Sequence, residues 1–173
     1  MQPTEAAVVT GASSGIGEAC ARRLLDLGIS VVTLQRSAPK MQHPNLHFRQ
    51  IDLADNAATQ VLARQIAAEF PVRYLVNNAG ANRPALLEDA TIDDLQYVTA
   101  VTLGAAMVLT QAFVPQMRAA KFGRIVNISS RAPTSTPRVG SSSISIFGLV
   151  ASHFEMTTFC WLPPLSVFTG TFD

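Results

Sequence analysis

The stretch TGASSGIG, residues 10–17, lies between a short run of small and β-branched residues and a segment with apolar residues at helical spacing. Its glycines suit a tight connection from a parallel strand to a helix. Gly11 permits the turn, Gly15 lets the backbone approach a phosphate, and Gly17 lets the helix pack close to the strand. The first N–H groups of such a helix have no partner within it and can bind an anion. The stretch predicts a phosphate-binding loop, and a plain strand-to-helix turn is the alternative.

The alternation around this turn continues along the first 130 residues. Short runs rich in Val, Ile, Leu and Phe alternate with longer runs in which apolar residues recur at helical spacing. Strands without polar alternation are typical of a parallel sheet covered on both faces. The sequence therefore predicts a doubly wound α/β fold with about five strands. The strand candidates are EAAVVT, ISVVTLQ, LHFRQI, RYLVNN and GRIVNIS, and the helix candidates are EACARRLLDLG, AATQVLARQIAAEF and residues 91–120.

Two of the predicted helices carry boundary signals. Gly28 follows RRLLDL, where a helix commonly ends on a left-handed glycine. Thr91, with Asp94 three residues later, resembles a capping box in which Asp replaces the usual Glu or Gln. The acidic pair Asp93 and Asp94 is explained by the helix dipole rather than by catalysis.

The charge balance disfavours two classes of partner. The 13 basic and 12 acidic residues give a formal net charge of +1, so no basic patch for nucleic acid or an anionic membrane surface is expected. No uninterrupted apolar stretch long enough to cross a membrane is expected either. We therefore predict neither a nucleic-acid nor a membrane partner.

The cysteines and histidines indicate neither a metal site nor a disulfide framework. Cys20 and Cys160 stand alone, without a CxxC spacing or a second pair. His43, His47 and His153 share no ligand spacing with them. Because the N-terminus also lacks the basic region of a secretory signal, we expect a reduced, cytoplasmic setting and no bound metal.

The end of the second predicted strand bears on the choice of nucleotide. A dinucleotide-binding fold that prefers NAD places an acidic residue there for the ribose hydroxyls. This chain has Gln35 and Arg36 instead. Arg36 could pair with a 2′-phosphate, which favours NADP(H) over NAD, and a solvated surface arginine is the alternative.

Polar and small residues also follow the third and fourth predicted strands. Asp52 could accept a hydrogen bond from an adenine amino group, or it could form an Asx turn or cap a helix. NNAG, residues 77–80, brings small residues to the edge of the sheet where ribose and nicotinamide would lie, although a simple turn could have the same sequence.

TGASSGIG, Asp52, NNAG and GRIVNISS, residues 123–130, together resemble the short-chain dehydrogenase/reductase family over about residues 5–150. The resemblance implies a Rossmann-type NAD(P)-binding domain at residues 1–150 and hydride transfer between the cofactor and a small carbonyl or alcohol substrate. The cofactor-binding residues predicted on this basis are Gly11, Ser13, Ser14, Gly15, Ile16, Gly17, Arg36, Asp52, Leu53, Asn78, Ala79 and Gly80.

The family's catalytic set of Asn, Ser, Tyr and Lys maps unevenly onto this sequence. Ser130 matches the family serine, although a strand-end hydroxyl that satisfies backbone groups is the alternative. Thr102 stands at the Asn position, Ser142 at the Tyr position and Ile146 at the Lys position. A serine hydroxyl is far less acidic than a phenol, and Ile146 supplies no cation to help it ionise. The resemblance therefore implies impaired catalysis.

Residues 151–173 form an atypical apolar tail. No Lys or Arg occurs from Val139 to Asp173, and the tail resembles none of the family's continuation, so the sequence looks shortened at its C-terminal side. The edge beside GRIVNIS then lacks a partner unless the tail supplies one, which predicts possible homo-oligomerisation. An impaired oxidoreductase, a non-catalytic NADP(H)-binding or interaction protein and a truncated non-functional product all remain open.

Overall fold

The computed structural model describes residues 5–83, 87–130 and 156–161, and within these ranges strands and helices alternate. The strands are β1 (Ala6–Thr10), β2 (Ser30–Gln35), β3 (Leu46–Gln50), β4 (Val72–Asn77), β5 (Arg124–Ser130) and β6 (Met156–Trp161). The α-helices are α1 (Gly15–Asp26), α2 (Asn56–Glu69), α3 (Ile92–Thr99) and α4 (Ala105–Ala119). A 3₁₀ turn (Leu87–Asp89) precedes α3, and a π-helical segment (Ala100–Gly104) joins α3 to α4.

The strands form a parallel sheet in the order β3-β2-β1-β4-β5-β6. The chain moves outward from β1 to β3, then returns to the other side of β1 and moves outward again. This reversal leaves a crevice beyond the carboxyl ends of β1 and β4, which is the usual ligand position in open α/β sheets. The predicted doubly wound fold is confirmed.

The apolar tail contributes the outermost described strand. β6 pairs with β5 in parallel, from Ile125 with Met156 to Ser130 with Trp161. The sequence predicted about five strands and left the edge of β5 dependent on the tail. In the structure the tail supplies that pairing, which satisfies backbone groups that an open edge would expose.

Apolar residues pack against both faces of the sheet, and β1 is therefore buried throughout its length. Ala6 and Val8 belong to one apolar cluster, while Ala7 and Val9 belong to another. Successive strand residues point to opposite faces, so one apolar strand supports two layers. The first cluster includes side chains of α2 and α4, namely Ala63, Ile66, Ala105, Leu109, Phe113 and Met117, and the second includes Ala21 and Leu25 of α1.

The continuous helical segment Ile92–Ala119 corrects the expectation that the chain has no apolar segment long enough to cross a membrane. It has 28 residues and a mean hydropathy of 1.6 in its most apolar window, so by length and composition it could cross a membrane. Buried core helices of other proteins meet the same criteria, but only 22% of this window is buried. Leu109, Phe113 and Met117 of the segment pack in the first cluster. The four-residue spacing of these side chains gives the helix its sheet-facing stripe.

The C-terminal end of α1 forms a Schellman motif around a glycine, as its sequence predicts. The N–H of Gly28 donates to the carbonyl of Leu25 at 2.9 Å, and the N–H of Ile29 donates to that of Leu24 at 3.1 Å. Gly28 has φ +79°. The left-handed conformation costs glycine little because it has no Cβ.

The C-terminal end of α4 has the same motif around a lysine. The N–H of Lys121 donates to the carbonyl of Arg118 at 3.0 Å, and the N–H of Phe122 donates to the carbonyl of Met117 at 3.1 Å. Lys121 has φ +53°. A side chain in this conformation brings Cβ close to a carbonyl oxygen. The end of α4 is therefore strained where the end of α1 is relaxed.

Substitutions at these two equivalent positions should change stability in opposite directions. We expect Lys121→Gly to be more stable than Lys121→Ala by about 1 kcal/mol, because the two variants lose the same charge and differ only in Cβ. Gly28→Ala should lose about 1 kcal/mol, since a Cβ there meets nothing within 4 Å and only the backbone term acts. Urea unfolding measures both effects. Equal stabilities of Lys121→Gly and Lys121→Ala would contradict the assignment of strain.

Candidate functional site

Hydrogen bonds tie the carboxyl ends of β1 and β4 together. The Thr10 hydroxyl oxygen accepts from the backbone N–H groups of Asn78 and Ala79, both at 2.9 Å. In return, Nδ2 of Asn78 donates to the carbonyl oxygens of Thr10 at 3.0 Å and Gly11 at 3.1 Å. The TGASSGIG loop and the NNAG segment are therefore one hydrogen-bonded unit, which is more than an isolated turn of either sequence requires.

Two glycines of the loop allow this close approach. Gly11 has φ +69°, and a Cβ on it would come within 3.1 Å of both the Ala79 Cα and the Asn78 Nδ2. A Cβ on Gly17 would overlap the Asn78 amide and the Gly11 carbonyl oxygen. Gly17 therefore has the packing role that the sequence predicts, at a position buried behind the loop.

Gln35, the last residue of β2, supports the loop from the other side. Its Oε1 accepts from the backbone N–H of Ala12 at 3.1 Å, and its Nε2 donates to the Thr33 hydroxyl oxygen at 3.4 Å. The residue is only 6% exposed. In the sequence, position 35 was notable only because it lacks the acidic residue that is typical of NAD-binding folds. The hydrogen bond of Gln35 to the loop was not predicted.

The first turn of α1 is open toward the site. Ser14 occupies the N-cap position, but its side chain accepts no hydrogen bond from the helix. By contrast, Asp55 accepts from Ala58 at 2.8 Å at the start of α2, and Thr91 caps α3. The uncapped N–H groups of α1 and the positive end of its dipole are free to act on an anion.

These elements surround a cavity of about 720 Å³, within the usual range for small-molecule and cofactor sites. All the predicted cofactor residues line it except Gly15 and Gly17. Gly15 has φ +61° and shapes the backbone of the loop. The predicted residues on the wall are Gly11, Ser13, Ser14, Ile16, Arg36, Asp52, Leu53, Asn78, Ala79 and Gly80.

Asp52 forms an Asx turn at this wall. Its Oδ1 accepts from the backbone N–H of Ala54 at 3.0 Å, and the residue is exposed. The helix-cap alternative is wrong for Asp52, because Asp55 caps α2. The Asx turn leaves the carboxylate on the cavity wall, so acceptance from an adenine amino group stays a prediction.

The structure adds residues to the wall that the sequence did not indicate. Tyr97 and Val101 lie one helical turn apart on α3 and the π-helical segment, and Arg83 follows NNAG. Nη1 of Arg36 donates to the Tyr97 hydroxyl oxygen at 3.5 Å, and Cζ of Arg83 lies 4.6 Å from the centroid of the same ring. The i, i+4 spacing of Tyr97 and Val101 was the one available signal. Also on the wall are Ser37, Ile51, Ala81 and Asn82.

A model of the family described as short chain dehydrogenase matches residues 5–143. The chain belongs to the short-chain dehydrogenase/reductase family. Dehydrogenase RED2 of Cochliobolus heterostrophus is 31% identical over 154 residues, which cover 86% of this chain and 58% of that protein. The acetoacetyl-CoA reductase of an Acinetobacter species is 34% identical over 142 residues, which cover 75% of this chain and 57% of that protein.

A solved structure agrees with this assignment. A metagenomic short-chain oxidoreductase in complex with NADP aligns with a TM-score of 0.69 and 35% identity, covering 79% of this chain and 65% of that one. The chain spans about half the length of the curated relatives it matches.

The position of the family asparagine lies in the π-helical segment. Thr102 is exposed there. Nδ2 of Asn56 donates to the carbonyls of Leu53 and Ala100, both at 3.0 Å, and a Cβ on Gly104 would overlap the Asn56 amide. Asn56 thus joins the start of α2 to the irregular turn that carries Thr102, a contact that the sequence did not predict.

The other predicted catalytic positions are only partly described. Ser130 ends β5, so its backbone is at the carboxyl edge of the sheet, on the same side as the cavity. Ser142 and Ile146 lie outside the described residues, and their assignment to the Tyr and Lys positions stays a prediction.

Gly17→Ala should destabilise the protein by about 1–3 kcal/mol, because the added methyl group has no space between the Asn78 amide and the Gly11 carbonyl. Gly80→Ala is the matched control. A Cβ there meets nothing within 4 Å, and we expect a change within about 0.5 kcal/mol. Urea unfolding of both variants tests the prediction, and equal stability would contradict the packing role of Gly17.

Proposed function

We propose that this chain binds NADP(H) in the cavity and acts as an oxidoreductase on a small carbonyl or alcohol, with a slow proton-transfer step. The observation that carries the choice of NADP(H) is Arg36 on the wall at the end of β2, where an acidic residue would repel a 2′-phosphate. The NADP bound to the metagenomic relative and the reductase activity named for the Acinetobacter relative support the same class of reaction.

The residues present fit a dinucleotide. The uncapped start of α1 offers backbone N–H donors for the pyrophosphate. Gly11 and Gly17 allow the loop to lie against β4, where a Cβ would fill the required space. NADP(H), when bound, supplies the hydride chemistry. In this arrangement the start of α1 would bind the pyrophosphate, and Arg36 would bind the 2′-phosphate.

The proton step is the weak part of the proposed mechanism. Ser130 would hydrogen-bond the substrate oxygen from the carboxyl end of β5. The proton must then come from Ser142 or from solvent, because the family's Tyr and Lys are replaced by Ser142 and Ile146. Loss of a positioned general acid typically costs about 10²–10⁴ in rate. Binding should therefore be better preserved than turnover.

The same replacements favour a second candidate function, a non-catalytic NADP(H)-binding protein. Every residue that binds the nucleotide in this proposal lies before residue 84, in a segment of the sequence separate from Ser142 and Ile146. The two functions share one cofactor site and differ only in turnover. They are therefore separated by measuring binding and activity on the same preparation.

Calorimetry should show that NADPH binds more tightly than NADH. Arg36→Gln should weaken NADPH binding by about 10–100-fold, since a charge-assisted hydrogen bond contributes about 1.5–3 kcal/mol, and should leave NADH binding nearly unchanged. Arg118→Gln is the control: it removes an equal charge in the last turn of α4, at a residue that does not line the cavity. Equal affinities of the wild-type protein for NADPH and NADH would contradict the proposed cofactor preference.

The double substitution Ser142→Tyr and Ile146→Lys should raise the rate of ketone or aldehyde reduction by at least about 10²-fold, because it restores a general acid and the cation that lowers its pKa. Loss of NADPH absorbance gives the rate, and calorimetry on the same variant confirms that the cofactor still binds. A variant that binds NADPH but gains no rate on a panel of small carbonyls would refute the catalytic proposal and leave the binding function.

A further inference from the structure

Tyr97 connects two arginines that come from separate segments of the chain. Its hydroxyl oxygen accepts from Nη1 of Arg36 at 3.5 Å. Its ring face lies beneath the guanidinium of Arg83, with Cζ 4.6 Å from the centroid, well within the range of a cation–π interaction. All three residues line the cavity. Tyr97 thus contacts two positively charged side chains on the same wall of the cavity.

Acidic residues neutralise the positive charge of the two arginines only in part. The charged residues on the described wall are Arg36, Arg83 and Asp52, two cations against one anion. Asp94 approaches Arg83, but its Oδ1 is 3.9 Å from Nε, which is longer than a hydrogen bond. An exposed ion pair of this kind contributes little. The arrangement therefore suits an additional anion.

A second contact of Asp94 explains why it pairs weakly. Its Oδ2 accepts from the Thr91 hydroxyl at 2.6 Å, and Thr91 in turn caps α3. The carboxylate is thereby held at the start of the helix, where it also complements the dipole. Among the described residues, Tyr97 and Asp94 are the side chains that contact Arg83, and neither contact uses both terminal nitrogens of the guanidinium.

We infer that Arg36 and Arg83 bind the 2′-phosphate of NADP(H) together, and that Tyr97 is the positioning residue that holds both guanidiniums. This inference rests on the proposed function and specifies how the cofactor is selected. A planar guanidinium can stack on a ring and still present its outer N–H groups to a phosphate in a fork. Stacking on Tyr97 therefore orients Arg83 without consuming its anion-binding edge.

The position of the pair distinguishes the 2′-phosphate from the pyrophosphate. The uncapped N–H groups of α1 follow β1, whereas Arg36 follows β2, its neighbour in the sheet. With the pyrophosphate at α1, the anion nearest to the end of β2 is the one on the adenosine ribose. Two guanidiniums at that point match the charge of close to −2 that a phosphate monoester carries near neutral pH.

The test compares two small probes, adenosine 2′,5′-bisphosphate and adenosine 5′-monophosphate, which differ only in the 2′-phosphate. Calorimetry gives the ratio of their affinities for each variant of the full chain. We expect Arg83→Gln to lower this ratio by about 5–20-fold and Tyr97→Phe, which keeps the ring, by about 2–5-fold. Arg83→Lys should recover part of the loss, because it restores the charge without the fork.

Arg118→Gln again controls for net charge, and its ratio should equal that of the wild-type protein. Because both probes share the adenosine, a variant that merely loosens the fold weakens both and leaves the ratio unchanged. If Arg36→Gln lowers the ratio while Arg83→Gln and Tyr97→Phe do not, the two-arginine site is overturned and the proposed NADP(H) function stands. If the wild-type ratio is one, both are overturned.

Discussion

The close packing of Gly17 against the Asn78 amide fixes the position of the glycine loop at the cavity. The amide donates to the Thr10 and Gly11 carbonyls, and Gly17 packs against it where a Cβ could not fit. This contact joins the start of α1 to the ends of β1 and β4. The uncapped N–H groups of α1 consequently face the crevice where the strand order reverses. The anion site that we propose at the start of α1 would therefore depend on backbone packing and would need no charged side chain.

The features that the sequence could predict are those in which local chemistry leaves one solution. A strand of five small and β-branched residues that is buried on both faces needs helices on both sides, and β1 has them. Gly17 was predictable because only glycine permits such close helix–strand packing. Arg36 was predictable as a wall residue because the end of β2 is fixed by the fold. In each case the residue type and its place in the alternation of strands and helices were sufficient for the prediction.

The remaining features depend on tertiary contacts that no local pattern encodes. Gln35 turns inward to Ala12, although a polar residue at a strand end could equally face solvent. Arg83 stacks on Tyr97 only because the segment after NNAG and α3 meet at one wall. Lys121 occupies a left-handed position where the rule predicts glycine, and its sequence context gives no warning. The contacts of Gln35 and Arg83 are side-chain arrangements, and the left-handed Lys121 is a backbone conformation, that the assembled fold selects.

In the function that we propose, cofactor binding and proton transfer are assigned to different parts of the chain. Gln35 supports the loop, and Arg36 and Arg83 both contact Tyr97 of α3 on the wall of the same cavity. Ser142 and Ile146, which the family resemblance places at the Tyr and Lys positions, come more than fifty residues after Arg83 in the sequence. The described contacts of the proposed nucleotide site are made by residues other than Ser142 and Ile146, so we expect affinity for the cofactor to depend less on these two positions than turnover does.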